Sequence, residues 1–339
     1  MSAYGRGAAI FGCEGTELGR DEAAFFRDFD PAGFILFARN VETPDQLRRL
    51  TADLRETVGR DAPILVDQEG GRVQRLRAPH WSEWTPPLDF VAAAGVHAAR
   101  AMELRYHIVA RELRDVGIDA NCAPVCDLIT DLTHPFLKNR CYGSDPAQVS
   151  AIARAVADGL LAGGVLPVMK HMPGHGRSHV DTHHDLPVVD ATREALNAHD
   201  FAPFRALNDL PMAMTAHQVF TAYDDKPATQ SPATIKAIRQ EIGFGGLLMT
   251  DDLNMQALKG DLASRTAASM AAGCDLALHC KGDLGEMQAV ASTAGTMSDA
   301  TLQRVAAALT WRHAPSTVDI AELEAELGGL MPDAPHGPN

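Results

Sequence analysis

Short runs of apolar residues recur along the chain, and each run is followed by a polar segment with helical periodicity. Eight of these runs lack alternation between apolar and polar positions, which is the pattern of strands that are covered on both faces. We therefore predict eight strands: Ala8–Cys13, Gly33–Phe37, Pro63–Val66, Ala120–Val125, Val165–Met169, Met212–Thr215, Gly246–Met249 and Asp275–His279.

The segments between these runs carry helix start and stop signals. Thr43 and Pro44 predict a helix start, because threonine caps helix N-termini and proline is tolerated in the first turn. Gln46 stands where a capping box places its glutamine. Gly117 follows an apolar helical stripe and predicts a helix end. Further helices are predicted over residues 145–161, 192–207 with a break near Pro203, 232–241 and 262–272.

Eight strands that alternate with helices predict an α/β fold, a single (β/α)8 TIM-type barrel over residues 1–314. A doubly wound sheet is the alternative. Pro124 and Pro167 fall inside predicted strands and argue against them, since central strands seldom accommodate proline. Residues 315–339 are predicted to form a C-terminal tail, with a short helix over 320–327 and then a mobile end.

Composition narrows the class of protein. The chain has 339 residues, 46% of them hydrophobic, which is enough for a large core. Its net charge of −14 argues against a nucleic-acid partner, because phosphate binding needs clustered Lys and Arg. No apolar run approaches the ~20 residues of a membrane span. The first fifteen residues lack the apolar core of a signal peptide.

We therefore expect a cytoplasmic protein without a membrane partner, monomeric or weakly homo-oligomeric. The six cysteines fit this location, because they form no CxxC pair and are expected to be reduced thiols rather than a disulfide framework. They are Cys13, Cys122, Cys126, Cys141, Cys274 and Cys280.

One segment, residues 170–189, concentrates titratable side chains: KHMPGHGRSHVDTHHDLPVV. Pro173 and the two glycines after it argue against a helix, so we predict a buried strand that continues into a polar loop. Asp181 and His183 are two residues apart, and an extended backbone would place both on one side. The carboxylate could then orient the imidazole for proton transfer.

In a barrel of this type, functional side chains lie at the carboxyl ends of the strands. Unusual polar residues follow four of the predicted strands: Asp67, Lys170 with His171, His217, and Asp251 with Asp252. Each of them alone has a structural explanation, and Asp252 in particular could cap a helix. Their common location predicts an active site.

Histidine spacing raises a metal site as an alternative. Four histidines are spaced four residues apart: His171, His175, His179 and His183. In a helix they would share one face, but Pro173 removes the helix, and we predict no metal or other cofactor. For His175, His179 and His184 we favour exposed or structural roles. A metal-dependent hydrolase with His171, His175, His217 and an aspartate as ligands remains the rival class.

Several motifs occur in a defined order between about Gly12 and Cys280: FILFARN, DQEGGRVQRL, KNRCYG, KHMPGHG followed by DTH, and MTDDLNM. Together they resemble glycoside hydrolase family 3, in particular its single-domain bacterial β-N-acetylglucosaminidases of the NagZ type. The sequence departs from that pattern at Met172 and at Cys141-Tyr142, positions that carry none of the expected chemistry.

The resemblance implies a role for each motif residue. Asp251 would be the nucleophile, and His183 the general acid/base with Asp181 as its partner. The sugar-binding residues would be Asp67, Arg75, Arg140, Lys170 and His171; we add His217 because it follows the sixth strand. Retaining hydrolysis needs an ionised nucleophile, and neighbouring Lys and Arg would keep it so. A histidine that titrates near neutrality can both give and take a proton.

The resemblance also implies the substrate. We expect a retaining exo-β-N-acetylglucosaminidase that forms a covalent glycosyl-aspartate and acts on peptidoglycan recycling fragments that carry anhydro-muramic acid. An imidazole in place of a second carboxylic acid would repel an incoming phosphate less, but hydrolysis is favoured over phosphorolysis. A family member that has lost activity and only binds sugar is the third possibility.

Overall fold

The computed structural model describes residues 4–180 and 185–331. Eight parallel strands close into a barrel in which each strand pairs with its neighbours in the chain, and the last pairs with the first. The prediction of a TIM-type barrel is confirmed, and a doubly wound sheet is excluded. The strands are β1 Gly7–Gly12, β2 Pro31–Leu36, β3 Ile64–Val66, β4 Ala120–Asn121, β5 Leu166–Met172, β6 Met212–Thr215, β7 Leu247–Asp252 and β8 Leu276–His279.

Helices surround the barrel. They are α1 Arg20–Phe29, α2 Pro44–Val58, α3 Pro87–Ala94, α4 Ala98–Asp115, α5 Pro135–Lys138, α6 Pro146–Ala162, α7 Arg193–Ala198, α8 Ala202–Ala206, α9 Pro232–Ala237, α10 Leu262–Ala272, α11 Leu284–Ala294, α12 Asp299–Leu309 and α13 Ile320–Leu330. Short 3₁₀ turns cover Ala38–Asn40, Gly95–His97 and Ala228–Gln230, and a π turn covers Ile238–Ile242. In the described part of the chain, no helix has the length and apolar character to cross a membrane.

Successive side chains of each strand point alternately into the barrel and out to the helices. In β1, Ile10 packs inside the barrel with residues such as Met212 and Leu247. Its neighbour Phe11 packs outside against Phe26 of α1. Both faces of the sheet are therefore buried, which explains the runs without alternation. The interior is filled by side chains, so a barrel of this kind has room for a ligand only at its ends.

Three strands, β4, β5 and β7, end three or more residues away from the predicted position. β7 runs to Asp252 rather than Met249, and proline explains the early end of β4. β4 ends at Asn121, because Pro124 cannot donate a ladder hydrogen bond; Val125 rejoins the sheet only as a single bridge to Lys170. Pro167, in contrast, lies inside β5, and the objection to it was wrong. The pairing of β5 with β6 begins only at Val168, one residue after Pro167. The N–H that proline lacks would lie outside this pairing, so no hydrogen bond between the two strands is lost.

β5 also runs further than predicted. It passes through Lys170 and His171 to Met172 before the chain leaves the barrel. The structure therefore places both side chains on a rigid strand rather than on the loop that follows.

The helix signals are largely confirmed. The hydroxyl of Thr43 accepts a hydrogen bond from the backbone N–H of Gln46, and Gly117 follows α4 in a left-handed conformation, with φ of 80°. The Gln46 side chain accepts from the backbone N–H of Glu42 rather than from that of Thr43. The predicted break between α7 and α8 occurs before Pro203, which lies in the first turn of α8.

The C-terminal segment is docked on the barrel's helical layer. Leu323 and Leu327 of α13 are buried against the core, and Arg100 of α4 forms an ion pair with Glu326 at 2.7 Å. The helix predicted over 320–327 is therefore present and slightly longer. The predicted mobile end falls largely on residues 332–339, outside the described residues.

A buried carboxylate stabilises the end of the barrel at which the strands begin. Asp275 precedes β8, and its Oδ2 accepts from Arg239 Nη2 at 2.7 Å and from the backbone N–H of Leu248 at 2.9 Å. Its Oδ1 accepts from Arg304 Nη1 at 2.7 Å. One side chain thus joins β7, β8, α12 and the π turn.

We predict that Asp275→Ala lowers the free energy of unfolding by about 2–4 kcal/mol, because it leaves two arginines and a strand N–H without their acceptor. The partly exposed arginines place the effect below that of a fully buried pair. Urea unfolding followed by circular dichroism measures it. Asp209→Ala, which removes a half-exposed partner of Arg154, is the matched control and should change stability by less than about 1 kcal/mol. Equal effects of the two substitutions would contradict the prediction.

Candidate active site

A cavity of about 220 Å³ opens at the carboxyl end of the barrel. Barrel residues Ile35, Met214 and Leu278 form its apolar floor. Its walls carry most of the side chains predicted from the strand ends and motifs: Asp67, Arg75, Arg140, Lys170, His171 and Asp251. Six residues from four separate parts of the sequence therefore meet around one space.

A network of ion pairs forms one wall of the cavity. Lys170 Nζ lies 2.7 Å from Asp67 Oδ1 and 2.6 Å from Glu69 Oε1. Arg75 Nη2 donates to the other oxygen of Asp67 at 2.9 Å. Arg140 donates two hydrogen bonds to the carboxylate of Glu69, at 2.8 and 2.7 Å. Such paired, directional donors can hold sugar hydroxyls in a fixed orientation.

The charges of this network stabilise one another. Burial raises the pKa of Asp67 and of Glu69, but the neighbouring cations outweigh it: the pKa of Asp67 is held well below its ordinary range, and that of Glu69 falls to about 2. Burial lowers the pKa of Lys170, and the two carboxylates outweigh it and raise that pKa above its ordinary value. All three groups are ionised over the whole physiological range.

Sequence reasoning missed Glu69, although it lies inside a quoted motif. It is two residues from Asp67 in an extended segment, so both side chains can face the same cations. Its backbone carbonyl is held as well: it accepts from Arg105 Nη2 at 2.6 Å and from the hydroxyl of Tyr106 at 3.2 Å. The two-residue spacing was the available signal.

His171 is oriented by a second residue that sequence reasoning missed. Its Nδ1 lies 2.7 Å from Asp127 Oδ2, and Arg140 Nη2 lies 3.4 Å from its Nε2. Burial raises the pKa of Asp127, but His171 outweighs it and lowers that pKa, so the carboxylate is the acceptor and Nδ1 carries a proton. Asp127 follows the irregular end of the fourth strand, and the rule used for the other strand ends could have found it.

His175 is buried and lines the cavity. Its backbone N–H donates to Asp127 Oδ1 at 2.7 Å, and its Nδ1 lies 3.1 Å from Gln218 Oε1. Burial, and to a lesser degree His171, lower the pKa of His175 to about 4, so the imidazole is neutral. The favoured structural role agrees with these bonds, while His179 is exposed, as that interpretation allows.

Asp251 lies at the end of β7, with its carboxylate at the cavity. Its Oδ1 accepts from the backbone N–H of Asp252 at 2.8 Å. Burial raises the pKa of Asp251, but His217 and His171 outweigh it, and the net pKa is lowered. An ionised carboxylate that faces the cavity is the form a nucleophile requires.

Asp252 does not cap a helix, because the next helix, α10, begins at Leu262 and is capped by Asp261. Asp252 Oδ1 instead accepts from the backbone N–H groups of Asn254 and Cys280, both at 3.1 Å, and so joins the ends of β7 and β8. Burial, with a contribution from the charge of Asp251, raises the pKa of Asp252 to about 6.

His217 lies behind the cavity wall and is 1% exposed. Its Nδ1 is 2.8 Å from Thr229 Oγ1, and its Nε2 is 3.0 Å from the carbonyl oxygen of Asp252. Both ring nitrogens are thus engaged by protein groups, which leaves neither for the sugar contact that its position after β6 predicted. The same bonds remove it from the rival set of metal ligands.

Within residues 4–180 and 185–331, no three His, Cys, Asp or Glu side chains are arranged to hold a metal ion. Asp181, His183 and His184 lie outside the described residues. The roles predicted for the first two therefore rest on the sequence.

Comparison with known proteins decides the class. The model of the glycosyl hydrolase family 3 N-terminal domain matches residues 15–310. The chain belongs to glycosyl hydrolase family 3. As a family 3 glycoside hydrolase it is a β-N-acetylhexosaminidase, similar to β-hexosaminidases of Methylococcus capsulatus (37% identity; 80% of this chain, 82% of the relative) and Xylella fastidiosa (36%; 86% and 88%).

Solved structures of this glycoside hydrolase family have the same fold. A β-N-acetylglucosaminidase from Paenibacillus sp. str. FPU-7 superposes with a TM-score of 0.85 and 28% identity, over 96% of this chain and 67% of that one. NagZ from Neisseria gonorrhoeae, in complex with N-trifluoroacetyl-D-glucosamine, gives a TM-score of 0.79 and 28% identity, over 98% of this chain and all of the other. The resemblance inferred from the motifs is therefore confirmed.

The ion-pair network leads to a prediction for Glu69→Gln. The amide cannot neutralise Lys170 and Arg140, so Arg140 loses its two charged hydrogen bonds and its fixed position at the cavity, where it is predicted to bind the sugar. A charged hydrogen bond is worth about 1.5–3 kcal/mol, which corresponds to a loss of roughly 10- to 150-fold in kcat/KM, mainly through KM. Steady-state kinetics measure it. Glu112→Gln, a buried carboxyl bonded to Ser82, is the control. An unchanged kcat/KM in Glu69→Gln would show that Glu69 does not hold the binding residues.

The raised pKa of Asp252 predicts a pH dependence of stability. A carboxyl whose pKa is about 6 when folded and near its ordinary value when unfolded binds its proton more tightly in the folded state. Its stabilising effect is present below pH 4 and is lost as pH rises to 6. Asp252→Asn has no such proton, so its stability relative to the wild type should rise by about 1–3 kcal/mol between pH 4 and pH 7. Urea unfolding at both values measures it, and a constant difference would contradict it.

Proposed function

We propose that this enzyme is a retaining exo-β-N-acetylglucosaminidase that removes terminal β-linked N-acetylglucosamine through a covalent glycosyl-aspartate at Asp251. One observation carries the proposal: the ionised carboxylate of Asp251 shares a small cavity with the charged network of Asp67, Lys170 and Arg140. A nucleophile and a set of hydroxyl-binding groups are thus combined in one place. The N-acetylglucosamine analogue bound by the gonococcal NagZ supports the choice of sugar.

The size of the cavity supports cleavage from a chain end. Its floor is made of barrel residues, among them Met214 and Leu278, so the cavity is closed on one side. Such a floor is common to pockets and grooves at this end of a barrel, so the size of the cavity carries the argument: cleavage within a chain needs room for sugars on both sides of the cleaved bond. With a volume of about 220 Å³, the cavity fits a single sugar unit.

The proposed reaction has two displacement steps. In the first, a carboxylate oxygen of Asp251 attacks the anomeric carbon, the bond to the leaving oxygen breaks, and His183 gives that oxygen a proton. In the second, His183 takes a proton from water, whose oxygen attacks the same carbon and releases Asp251. Two inversions retain the configuration. Asp181 would orient the imidazole of His183, an assignment that rests on the DTH motif.

Peptidoglycan recycling fragments with anhydro-muramic acid are the proposed natural substrate, and the cytoplasm the proposed location. The resemblance to NagZ-type enzymes supports the substrate. The six cysteines, all present as free thiols, support a reducing compartment.

Release of 4-nitrophenol from its β-N-acetylglucosaminide, with and without EDTA, tests the proposed function. We expect turnover that survives exhaustive chelation. Loss of turnover on chelation with rescue by zinc would favour the metal-dependent hydrolase. Saturable binding of N-acetylglucosamine without turnover would favour a sugar-binding protein that has lost its activity.

Two substitutions are predicted to separate the catalytic roles. Asp251→Asn should abolish turnover on every substrate, because no other group forms the bond to carbon. His183→Ala should lose about 10²–10⁴-fold in kcat/KM on the natural disaccharide. It should lose much less on the dinitrophenyl glycoside, whose leaving group needs no proton.

In His183→Ala the second step still lacks its base, so the sugar adduct on Asp251 should accumulate and be visible by mass spectrometry. Azide, a nucleophile that needs no base, should release it as the β-glycosyl azide. Asp181→Ala should show a weaker form of the same pattern. If His183→Ala slows both substrates equally, without adduct and without azide rescue, His183 is not the acid/base.

A further inference from the structure

We propose that His217 is a positioning residue for the nucleophile: a neutral imidazole that links Thr229 to the backbone carbonyl of Asp252 and so fixes the segment that presents Asp251. The inference rests on the proposed role of Asp251. It also assigns His217 a function that differs from the sugar contact expected from its place after β6.

The bonds of His217 determine its tautomer. A carbonyl oxygen only accepts hydrogen bonds, so the contact of 3.0 Å between Nε2 and the oxygen of Asp252 requires the proton on Nε2. Nδ1 then has a lone pair, and the hydroxyl of Thr229, at 2.8 Å, is its donor. The hydroxyl of Thr215 lies 2.8 Å from Thr229 Oγ1 and can donate to it in turn. A chain of three bonds therefore ends on Asp252.

The Thr229 hydroxyl has a second acceptor within reach. The carbonyl oxygen of Ala216 lies 3.1 Å from Thr229 Oγ1, a longer contact than the one to the imidazole. A neutral His217 with its proton on Nε2 has no other donor for Nδ1 among these groups, which favours the bond to the ring. Burial lowers the pKa of His217, and the opposing charge of Asp251 does not restore it, so the imidazole stays neutral.

Asp252 is the residue through which this chain acts on the nucleophile. Its backbone N–H donates to Asp251 Oδ1 at 2.8 Å, and its own carboxylate is held by the backbone N–H of Cys280 at 3.1 Å. Its carbonyl accepts the backbone N–H of Met255 at 3.1 Å in the turn that follows β7, and the bond from His217 at 3.0 Å attaches the same carbonyl on the side of β6. With N–H, side chain and carbonyl all held, the backbone of Asp252 has one orientation, and the carboxylate of Asp251 follows it.

Such a role predicts an effect on the chemical step rather than on binding. A nucleophile displaced by a fraction of an ångström still lies in a cavity whose sugar-binding groups are in place, so KM changes little while kcat falls. The loss is independent of the leaving group, because attack on carbon is impaired and proton donation is not. This separates His217 from His183, whose loss depends on the leaving group.

His217→Leu and His217→Gln form the test pair. Leucine removes both hydrogen bonds, whereas the glutamine amide can reach the Asp252 carbonyl with an N–H. We expect His217→Leu to lower kcat about 10²-fold on both the 4-nitrophenyl and the dinitrophenyl β-N-acetylglucosaminide, with KM within about threefold of the wild type. The kcat of His217→Gln should be at least tenfold higher than that of His217→Leu.

His107→Leu is the matched control, since His107 is also a mostly buried histidine with a hydroxyl partner, Ser316, but lies on α4 outside the cavity. Its kcat should match that of the wild type. Thermal unfolding of every variant separates a loss of folded enzyme from a loss of rate.

Substitutions of Thr229 provide a second, independent test of the proposal. Thr229→Val should lower kcat less than His217→Leu, because the imidazole keeps its bond to Asp252 but loses its fixed orientation, and Thr229→Ser should recover the loss. Because Thr229 acts through His217, adding Thr229→Val to His217→Leu should lower kcat by less than about twofold, a coupling that a double-mutant cycle measures.

Each alternative has its own result. A raised KM with an unchanged kcat in His217→Leu would make His217 a sugar ligand. If kcat is no higher in His217→Gln than in His217→Leu, His217 is only a core histidine. The same holds if unfolding of the variants accounts for the lower kcat. Absence of turnover in the wild type, or turnover in Asp251→Asn, would overturn the proposed function and the present inference with it.

Discussion

The ion pairs between Lys170 and the two carboxylates of Asp67 and Glu69 are the interaction on which the site depends. They join the segment after β3 to the end of β5, with the Lys170 side chain only 2% exposed. Buried charges are stable only when every one of them has a partner, since removing one leaves another desolvated and unpaired. Arg140 and Arg75 complete the set from two further parts of the chain. The groups proposed to bind the sugar are therefore held in place before any ligand arrives, and the buried charges that hold them tolerate little change.

Two adjacent aspartates at the end of β7 have pKa values that are shifted in opposite directions by their local surroundings. Asp251 has His217 and His171 beside it, and its pKa is lowered. Around Asp252 no neighbour offsets the effect of burial; burial and, to a lesser degree, the charge of Asp251 raise its pKa to about 6. The first is ionised and faces the cavity, while the second accepts backbone N–H groups and joins two strands. Such a division between neighbouring carboxyls is how active sites assign different roles to chemically identical groups.

The barrel supplies the geometry that makes these contacts possible. Its interior is packed with apolar side chains, and those nearest the carboxyl end, Ile35, Met214 and Leu278, form the floor of the cavity. Parallel strands end at one rim, so residues more than a hundred positions apart, such as Asp67 and Lys170, meet there. Rigid strands rather than loops carry Lys170, His171 and Asp251. The loop that follows β5 contributes chemistry only through residues whose role is inferred from the sequence.

The sequence by itself determined a parallel α/β fold with eight strands, because apolar runs without alternation are buried on both faces wherever they pair. The pairing of β1 with β8, which closes the barrel and excludes the doubly wound sheet, is seen only in the structure. The sequence also identified most of the side chains that reach the cavity, since strand ends and motifs are local features, although His217 lies behind the cavity wall. It did not reveal Glu69 or Asp127 as members of the site, and it misjudged Pro167 and the helix-capping role considered for Asp252. Those outcomes depend on partners far away in the chain: Arg140 is 71 residues from Glu69, and His171 is 44 from Asp127. Whether a buried polar group binds substrate or positions a neighbour, as with His217, is decided by which atoms lie within about 3 Å of it. Only the tertiary structure fixes that.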